Sequence, residues 1–214
     1  MVVSIHSGEI AAPASAMAML WAVAEAPKQD NQPSGDGFLL MRDQNRVIFA
    51  VADGAGSGSP AREASSRCLD VLSTSNNRDL ERLFEACHQQ LIGTRGAALG
   101  VAVVDLDQQS LEWAALGDID GVVFSGPGES APVISVIQRP GTLGHSKPKI
   151  SPQRHQILPG QMVAMSTDGV SRSYRDLVLD TIAPTDFASS RLERYGRNGD
   201  DRTFAAFTLK GAAP

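Results

Sequence analysis

Runs with the two-residue alternation of a strand dominate this chain, and helical spacing is confined to a central stretch and one segment near the end. Val2–Ile5 is short and β-branched. Met17–Ala26 is apolar except for Glu25, and its periodicity leaves strand and helix both open. Gly37–Met41 and Arg46–Ala52 are separated by Arg42-Asp43-Gln44-Asn45, a polar turn of hairpin length. The second run, RVIFAVAD, is almost wholly apolar and reads as a central strand buried on both faces.

Two helices follow. Ser59-Pro60 reads as an N-cap followed by proline at the first helical position. Ala61, Ala64, Cys68, Leu69 and Leu72 then share one face. After the polar break Ser73–Asn77, Arg78–Ile92 repeats the spacing with Leu80, Leu83, Phe84, Cys87 and Leu91, and Gly93 and Gly96 end it. Strands return at Ala98–Asp105, Ser110–Leu116, Gly121–Ser125 and Pro132–Gln138. Residues 139–152 are rich in glycine and proline and read as a loop. Gln161–Met165 is a strand running into Ser166-Thr167-Asp168-Gly169. Thr185–Tyr195 is helical, and Thr203–Lys210 closes the chain as a strand.

Consecutive helices between groups of hairpin-connected strands argue against a doubly wound parallel sheet. A mostly antiparallel, layered α+β domain fits better. The 214 residues suffice for one domain with a sizeable core, and no linker or repeat divides them. Charge changes this picture little. The net charge is −5 and no basic stripe is present, which argues against a nucleic-acid partner. Cys68 and Cys87 lack a CxxC neighbour, so zinc is not expected, and they read as two isolated buried thiols of a reducing compartment. No lysine or arginine precedes Lys28, and Ala16–Ala26 is shorter than the roughly 20 residues a bilayer span needs. A soluble, cytoplasmic protein with no membrane partner is therefore expected.

The chemistry gathers where strands end. Asp36 lies in SGDG before a strand. Asp53 follows RVIFAVA, Asp118 follows SLEWAAL in LGDIDG, and Asp168 follows QMVAMST. Asp200-Asp201 precede RTFAAF. Aspartate is a poor strand residue, and beside glycine it serves most often as a turn. Asp43, Asp105, Asp107 and Asp120 are read as turns. Several such carboxylates can converge where the strands are neighbours, which spacing alone does not show, and ionised carboxylates at short range require a cation. Oxygen-only donors suit Mg²⁺ or Mn²⁺. The loop GAGSG could be taken for a nucleotide cradle, but it lacks the lysine of a phosphate-binding loop and is fronted by Asp53.

The order GD (35–36), ADGAGSG (52–58), LGD (116–118), STDG (166–169) and DDRT (200–203) resembles the PPM-type metal-dependent serine/threonine phosphatases. Within them it is most similar to the SpoIIE-like branch and its RsbX-like phosphatases of bacterial stress signalling. GTLG (141–144) resembles a further element of that branch. The resemblance runs from about residue 35 to 209. It implies a single domain over 1–214 with a four-layer αββα sandwich, two mainly antiparallel sheets with helix pairs outside. It implies two Mn²⁺ or Mg²⁺ ions. Asp53 would bridge both and the Gly54 carbonyl would bind one. Asp168 and Asp200 would hold one ion, Asp36 would sit on the other directly or through water, and Asp118 matches a third, weaker position. Asp201 stands where many members have asparagine. The catalytic set is then Asp53, Asp168 and Asp200, acting through a metal-activated water on phosphoserine or phosphothreonine of a STAS-domain regulator. Ser57 and Ser166 are not needed as nucleophiles.

The chain departs from the family in two places. Ala55 stands where many members carry a candidate proton-donating histidine, with His145 in the 139–152 loop as a substitute candidate or a loop residue without a role. No arginine precedes Arg42 to grip phosphate. A PPM-fold binding module of weak or no catalytic power is the alternative these departures leave.

Overall fold

A computed structural model of the chain describes residues 3–12, 16–128, 132–176, 179 and 183–211. Among them, two sheets lie face to face between helical layers. The first contains β1 (Ser4–Ala11), β2 (Met17–Ala26), β7 (Asp120–Phe124), β8 (Pro132–Ser135), β11 (Met162–Ser166) and β12 (Arg202–Gly211), in the order β1-β2-β12-β11-β7-β8. The second contains β3 (Asp36–Asp43), β4 (Arg46–Gly54), β5 (Ala97–Asp105), β6 (Ser110–Leu116) and β10 (Gln153–Gln156), in the order β10-β6-β5-β4-β3. The short β9 (Gln138–Arg139) joins β6 in parallel, while the other pairings are antiparallel. Helices α1 (Ser59–Thr74) and α2 (Leu80–Leu91) cover the second sheet, and α3 (Pro184–Tyr195) covers the first. The expected four layers are present. The outer layer on the α3 side holds one long helix and a 3-10 turn, Arg172–Asp176, among the described residues.

Strand periodicity explains the layering. In β4, Val47, Phe49 and Val51 point into the core between the sheets, and Ile48, Ala50 and Ala52 point at α1 and α2. In β12, Ala205, Phe207 and Leu209 take the inner core, and Phe204 and Ala206 face α3. Phe49 and Phe207 meet edge to face across the sheets with centroids 5.4 Å apart. Met17–Ala26, undecided by periodicity, is a strand. Its partner β12 is also buried on both faces, and ladder pairing from Met17↔Gly211 to Ala26↔Arg202 satisfies its backbone. The first strand extends well past Ile5, pairing Ser4–Ala11 with β2, while Val2 lies outside the described residues.

Some local expectations change. The N-cap of α1 is Gly58, at φ +70°, so Ser59 is the first helical residue. The chain turns so tightly out of β4 that only glycine suits the capping backbone. In α2 the cap is Asp79, whose carboxylate accepts from the Arg82 N–H at 3.0 Å. Cys68 and Cys87 are free and buried, but they are not isolated. Cys87 Sγ donates to the Cys68 carbonyl at 3.6 Å where α1 and α2 pack, and the neighbouring Cys87 thiol together with burial pushes the Cys68 thiol up.

Candidate metal and phosphoryl site

Asp36 opens β3 and Asp53 lies near the end of β4. The antiparallel register sets them directly opposite each other. Asp53 is also opposite Ala98 of β5, next to the turn that carries Asp118 after β6. In the facing sheet, β11 ends just before Asp168 and its neighbour β12 begins just after Asp200 and Asp201. All these strand ends fall at one end of the sandwich. Asp53, Asp118, Asp168 and Asp200 line a single cavity of about 370 Å³ with Ala55, Gly56 and Thr142.

Asp36 sits behind Asp53 and is buried. Its Oδ2 accepts from Thr167 Oγ1 at 2.7 Å, and its Oδ1 is buried with no partner. Thr167 Oγ1 in turn accepts from the Thr203 N–H at 3.0 Å, so a carboxylate of one sheet is held by the other. Burial pushes Asp36 up to about 8, with Asp201 and Asp168 adding to the rise and the Thr167 hydrogen bond opposing it. Burial pushes Asp53 up to about 9, followed by the fields of Asp36, Asp168, Asp118 and Asp200. Asp168 is raised by burial and by Asp118 and Asp200, and Arg197 works against the rise. The donors around the cavity are oxygens, and one buried carboxylate oxygen is orphaned. That combination fits a hard divalent cation, whose charge would satisfy the oxygen and return the carboxyls to their ionised form. Among the described residues no three His, Cys, Asp or Glu side chains form a closed metal-binding group as they stand. The carboxylates line an open cavity and do not close on one point.

A profile of the family Stage II sporulation protein E (SpoIIE) matches residues 43–201 of this chain. The chain belongs to the SpoIIE family. The phosphoserine phosphatase RsbX of Bacillus subtilis (strain 168) is 32% identical over 108 residues, which span 50% of this chain and 54% of that protein. The match thus spans about half the length of this curated relative. A chain from a structure of the bacterial stressosome superposes with a TM-score of 0.77 at 25% identity, covering 88% of this chain and 98% of that one. A crystal structure of RsbX in complex with magnesium gives 0.81 at 23% identity, covering 97% and 100%. The PP2C phosphatase domain of SpoIIE from Bacillus subtilis gives 0.71 at 16% identity, covering 99% and 65%. The last two likenesses show a shared fold.

Within this SpoIIE-family domain the expected site residues fall into two groups. Asp53, Asp118, Asp168 and Asp200 share the cavity, with Asp36 directly behind. Gly54 does not line the cavity. It is buried beneath α1, where a side-chain carbon would stand 1.9 Å from the Ala61 carbonyl oxygen, and its own carbonyl lies beside Gly35. Asp201 faces the other way, accepting from the Lys28 N–H at 2.7 Å and the Gly35 N–H at 2.8 Å, and so ties β12 to the approach to β3. His145 is exposed and lines a neighbouring cleft, not the carboxylate cavity.

Asp120 corrects its reading as a turn. It is buried at the start of β7, accepts from Tyr174 Oη at 2.8 Å and Arg175 Nε at 2.9 Å, and is also bound by Arg175 Nη2. Its partners lie more than fifty residues away, so no local signal could have shown them. The sequence reading also missed Thr167 as the Asp36 partner and Arg197 as the counter-charge at Asp168. Thr167 lies in STDG, where its hydroxyl beside Asp168 is the available signal. Arg197, in a polar turn, offered none.

Proposed function

We propose that this domain is a divalent-metal-dependent phosphoprotein phosphatase acting on phosphoserine or phosphothreonine of a bacterial stress-signalling regulator of the STAS-domain type. The observation that carries the reading is the convergence of Asp53, Asp118, Asp168 and Asp200 on one cavity, with the orphaned, buried carboxylate of Asp36 behind them. Family membership, the likeness to a phosphoserine phosphatase and the fold shared with a magnesium complex of RsbX support it. The likeness to a stressosome chain supports the signalling context. Action in the cytoplasm belongs to the same reading. Among the described residues no helix is long and apolar enough to cross a membrane.

In this reading Asp53 would be the central ligand for two divalent cations, Mn²⁺ or Mg²⁺. Asp168 and Asp200 would hold one and Asp36 the other, while the Gly54 carbonyl, which lies beside Gly35 and outside the cavity lining, is left out of this set. Asp118 offers a weaker third position. The chemistry supplied by the bound ions is Lewis acidity toward phosphoryl oxygens and a lowered pKa for the attacking water. The chain orients and opens the site. Thr167 fixes Asp36 in one rotamer, and the backbone around Asp53 is locked by the Gly54 N–H bond to Gly35 and the Ala55 N–H bond to Gly96. Ala55 and Gly56 keep the mouth free of side chains, so a phosphorylated side chain can reach the carboxylates. No covalent phosphoenzyme is required. Ser57 is exposed on the loop, and Ser166 is fully buried in β11, away from any incoming phosphorus.

The test is phosphate release from a phosphoserine STAS-domain protein with Mn²⁺. Release should stop in EDTA and fall about 10²–10³-fold in Asp53→Asn, comparable to the loss of a central electrostatic group. Release indifferent to both changes would sink this reading. Binding of the phosphoprotein with no turnover in Mn²⁺ would favour the non-catalytic module, for which Ala55 is the motivating departure.

A further inference from the structure

A second cleft, of about 690 Å³, borders the carboxylate cavity and shares Ala55 and Gly56 with it. Its charge is opposite in sense. Arg67, Arg95 and His145 line it against one acid, Glu63. Arg67 is already paired with Glu63 at 2.6 Å, which leaves Arg95 as the uncompensated arginine.

Arg95 is held in place by its backbone and by one side-chain bond. The turn after α2 is closed by Thr94, whose Oγ1 donates to the Leu91 carbonyl at 2.7 Å and accepts from the Gly96 N–H at 3.0 Å. The Gly96 carbonyl accepts from the Ala55 N–H at 2.9 Å, and Arg95 Nε donates to the Ala55 carbonyl at 3.1 Å. The turn and the Asp53 loop are therefore bonded in both directions. The guanidinium lies on the bare backbone of Gly56, where a side-chain carbon would stand 2.8 Å from Nη2. Gly56 also has φ +101°, so its lack of a side chain serves both the loop conformation and the seat of the arginine. Among the described residues, no protein acceptor meets the terminal nitrogens of Arg95. A guanidinium anchored through Nε with free terminal N–H groups is suited to an oxyanion.

Arg95 lines this cleft and not the carboxylate cavity. The two cavities meet at Ala55 and Gly56, so a polypeptide whose phosphorylated side chain enters the carboxylate cavity can run on into this cleft. Ile92, 57% exposed on the same wall, adds an apolar contact. We propose that the cleft between α1, α2 and the Asp53 loop binds the polypeptide adjoining the substrate's phosphoserine, and that Arg95 selects an acidic side chain there. The proposal rests on the phosphoprotein reading above.

An oxyanion on Arg95 could come from the phosphoryl group itself or from a flanking carboxylate, and peptides separate the two. Three phosphoserine peptides, identical except for Asp, Asn or Lys on both sides of the phosphoserine, are compared by kcat/KM with Mn²⁺. The same peptides, fluorescently labelled, are titrated by anisotropy into the Asp53→Asn chain, which reads recognition without turnover. The expected result is about a tenfold preference for Asp over Asn, the scale of a charged hydrogen bond. That preference should vanish in Arg95→Ala and turn toward the Lys peptide in Arg95→Glu. A loss in Arg95→Ala that is equal for all peptides would place the arginine on the phosphoryl group and overturn the proposal. So would a preference indifferent to residue 95. Turnover without a flank preference overturns this proposal and leaves the phosphatase reading standing. An Arg95-dependent preference in binding without any turnover does the reverse.

Discussion

At the residue scale, adjacent aspartates 200 and 201 have opposite surroundings. Asp200 lines the cavity, whereas both oxygens of Asp201 are taken by backbone N–H groups of the segment leading into β3. Asp201→Ala removes two charge-assisted bonds and strands the buried Gly35 donor. It should cost about 2–3 kcal/mol and roughly 5–10 °C of Tm. Thermal denaturation checks this, and a variant as stable as the parent would refute the structural role. Local pattern does not separate the pair, and only the family resemblance singled out Asp200 as the ligand. What separates them is that one side chain faces the gap between the sheets and the other faces a chain segment 166 residues away.

At the element scale, the decisive junction is β4 to α1. The apolar alternation of RVIFAVAD makes the strand legible, and Pro60 marks the helix. How closely the helix returns on the strand is not legible, because it depends on the packing of Ala61 and Ala64 against the sheet. Gly54 is where they touch. Gly54→Ala would press a methyl group to within 1.9 Å of the Ala61 carbonyl oxygen, with backbone on both sides and no side chain to yield. The expected outcome is a loss above about 3 kcal/mol, seen as insoluble or unfolded protein. Gly211→Ala, with nothing within 4 Å, is the matched control and should stay within about 0.5 kcal/mol of the parent by urea denaturation.

At the scale of the whole molecule, both sheets contribute carboxylates to one end of the sandwich, and the charge they gather sets the pH behaviour. Asp36 and Asp53 are raised in the folded chain to about 8 and about 9, from 3.8. Between these values the folded chain keeps protons that the unfolded chain has released. The associated stability is fully present below pH 3.8 and is lost as pH rises through 8 and 9. In EDTA, Tm should therefore fall between pH 6 and pH 9, by more than about 3 °C. Asp53→Asn should flatten the fall, because the amide carries no charge to bury. A divalent cation prefers the deprotonated carboxylates, so Mn²⁺ should raise Tm more at pH 8 than at pH 6. Scanning fluorimetry across pH measures all three, and a Tm in EDTA that is flat or rising over this range would contradict the assignment.

The chain by itself determined most of the strands, though not β10, together with the two consecutive central helices and the aspartates at strand ends. Each of these is a local pattern, governed by the two-residue pleat, the helical turn and the preference of Asp-Gly for places where strands stop. Asp53 was legible because an apolar run, a carboxylate and a glycine-rich turn stand together within a dozen residues. Local pattern could not settle Met17–Ala26, which became a strand only because β1 and β12 lie on either side of it. It misread Asp120, whose burial depends on Tyr174 and Arg175, and it gave no sign of Arg95, which meets the Asp53 loop from 40 residues away. Local pattern alone could not say which strand ends share a cavity or which of two adjacent aspartates faces it, points that the family resemblance anticipated, and only the tertiary structure decided where an arginine stands beside it. The reason is physical. A carboxylate's chemistry is set by its burial and by the charges around it, and those neighbours are brought together only when the two sheets pack.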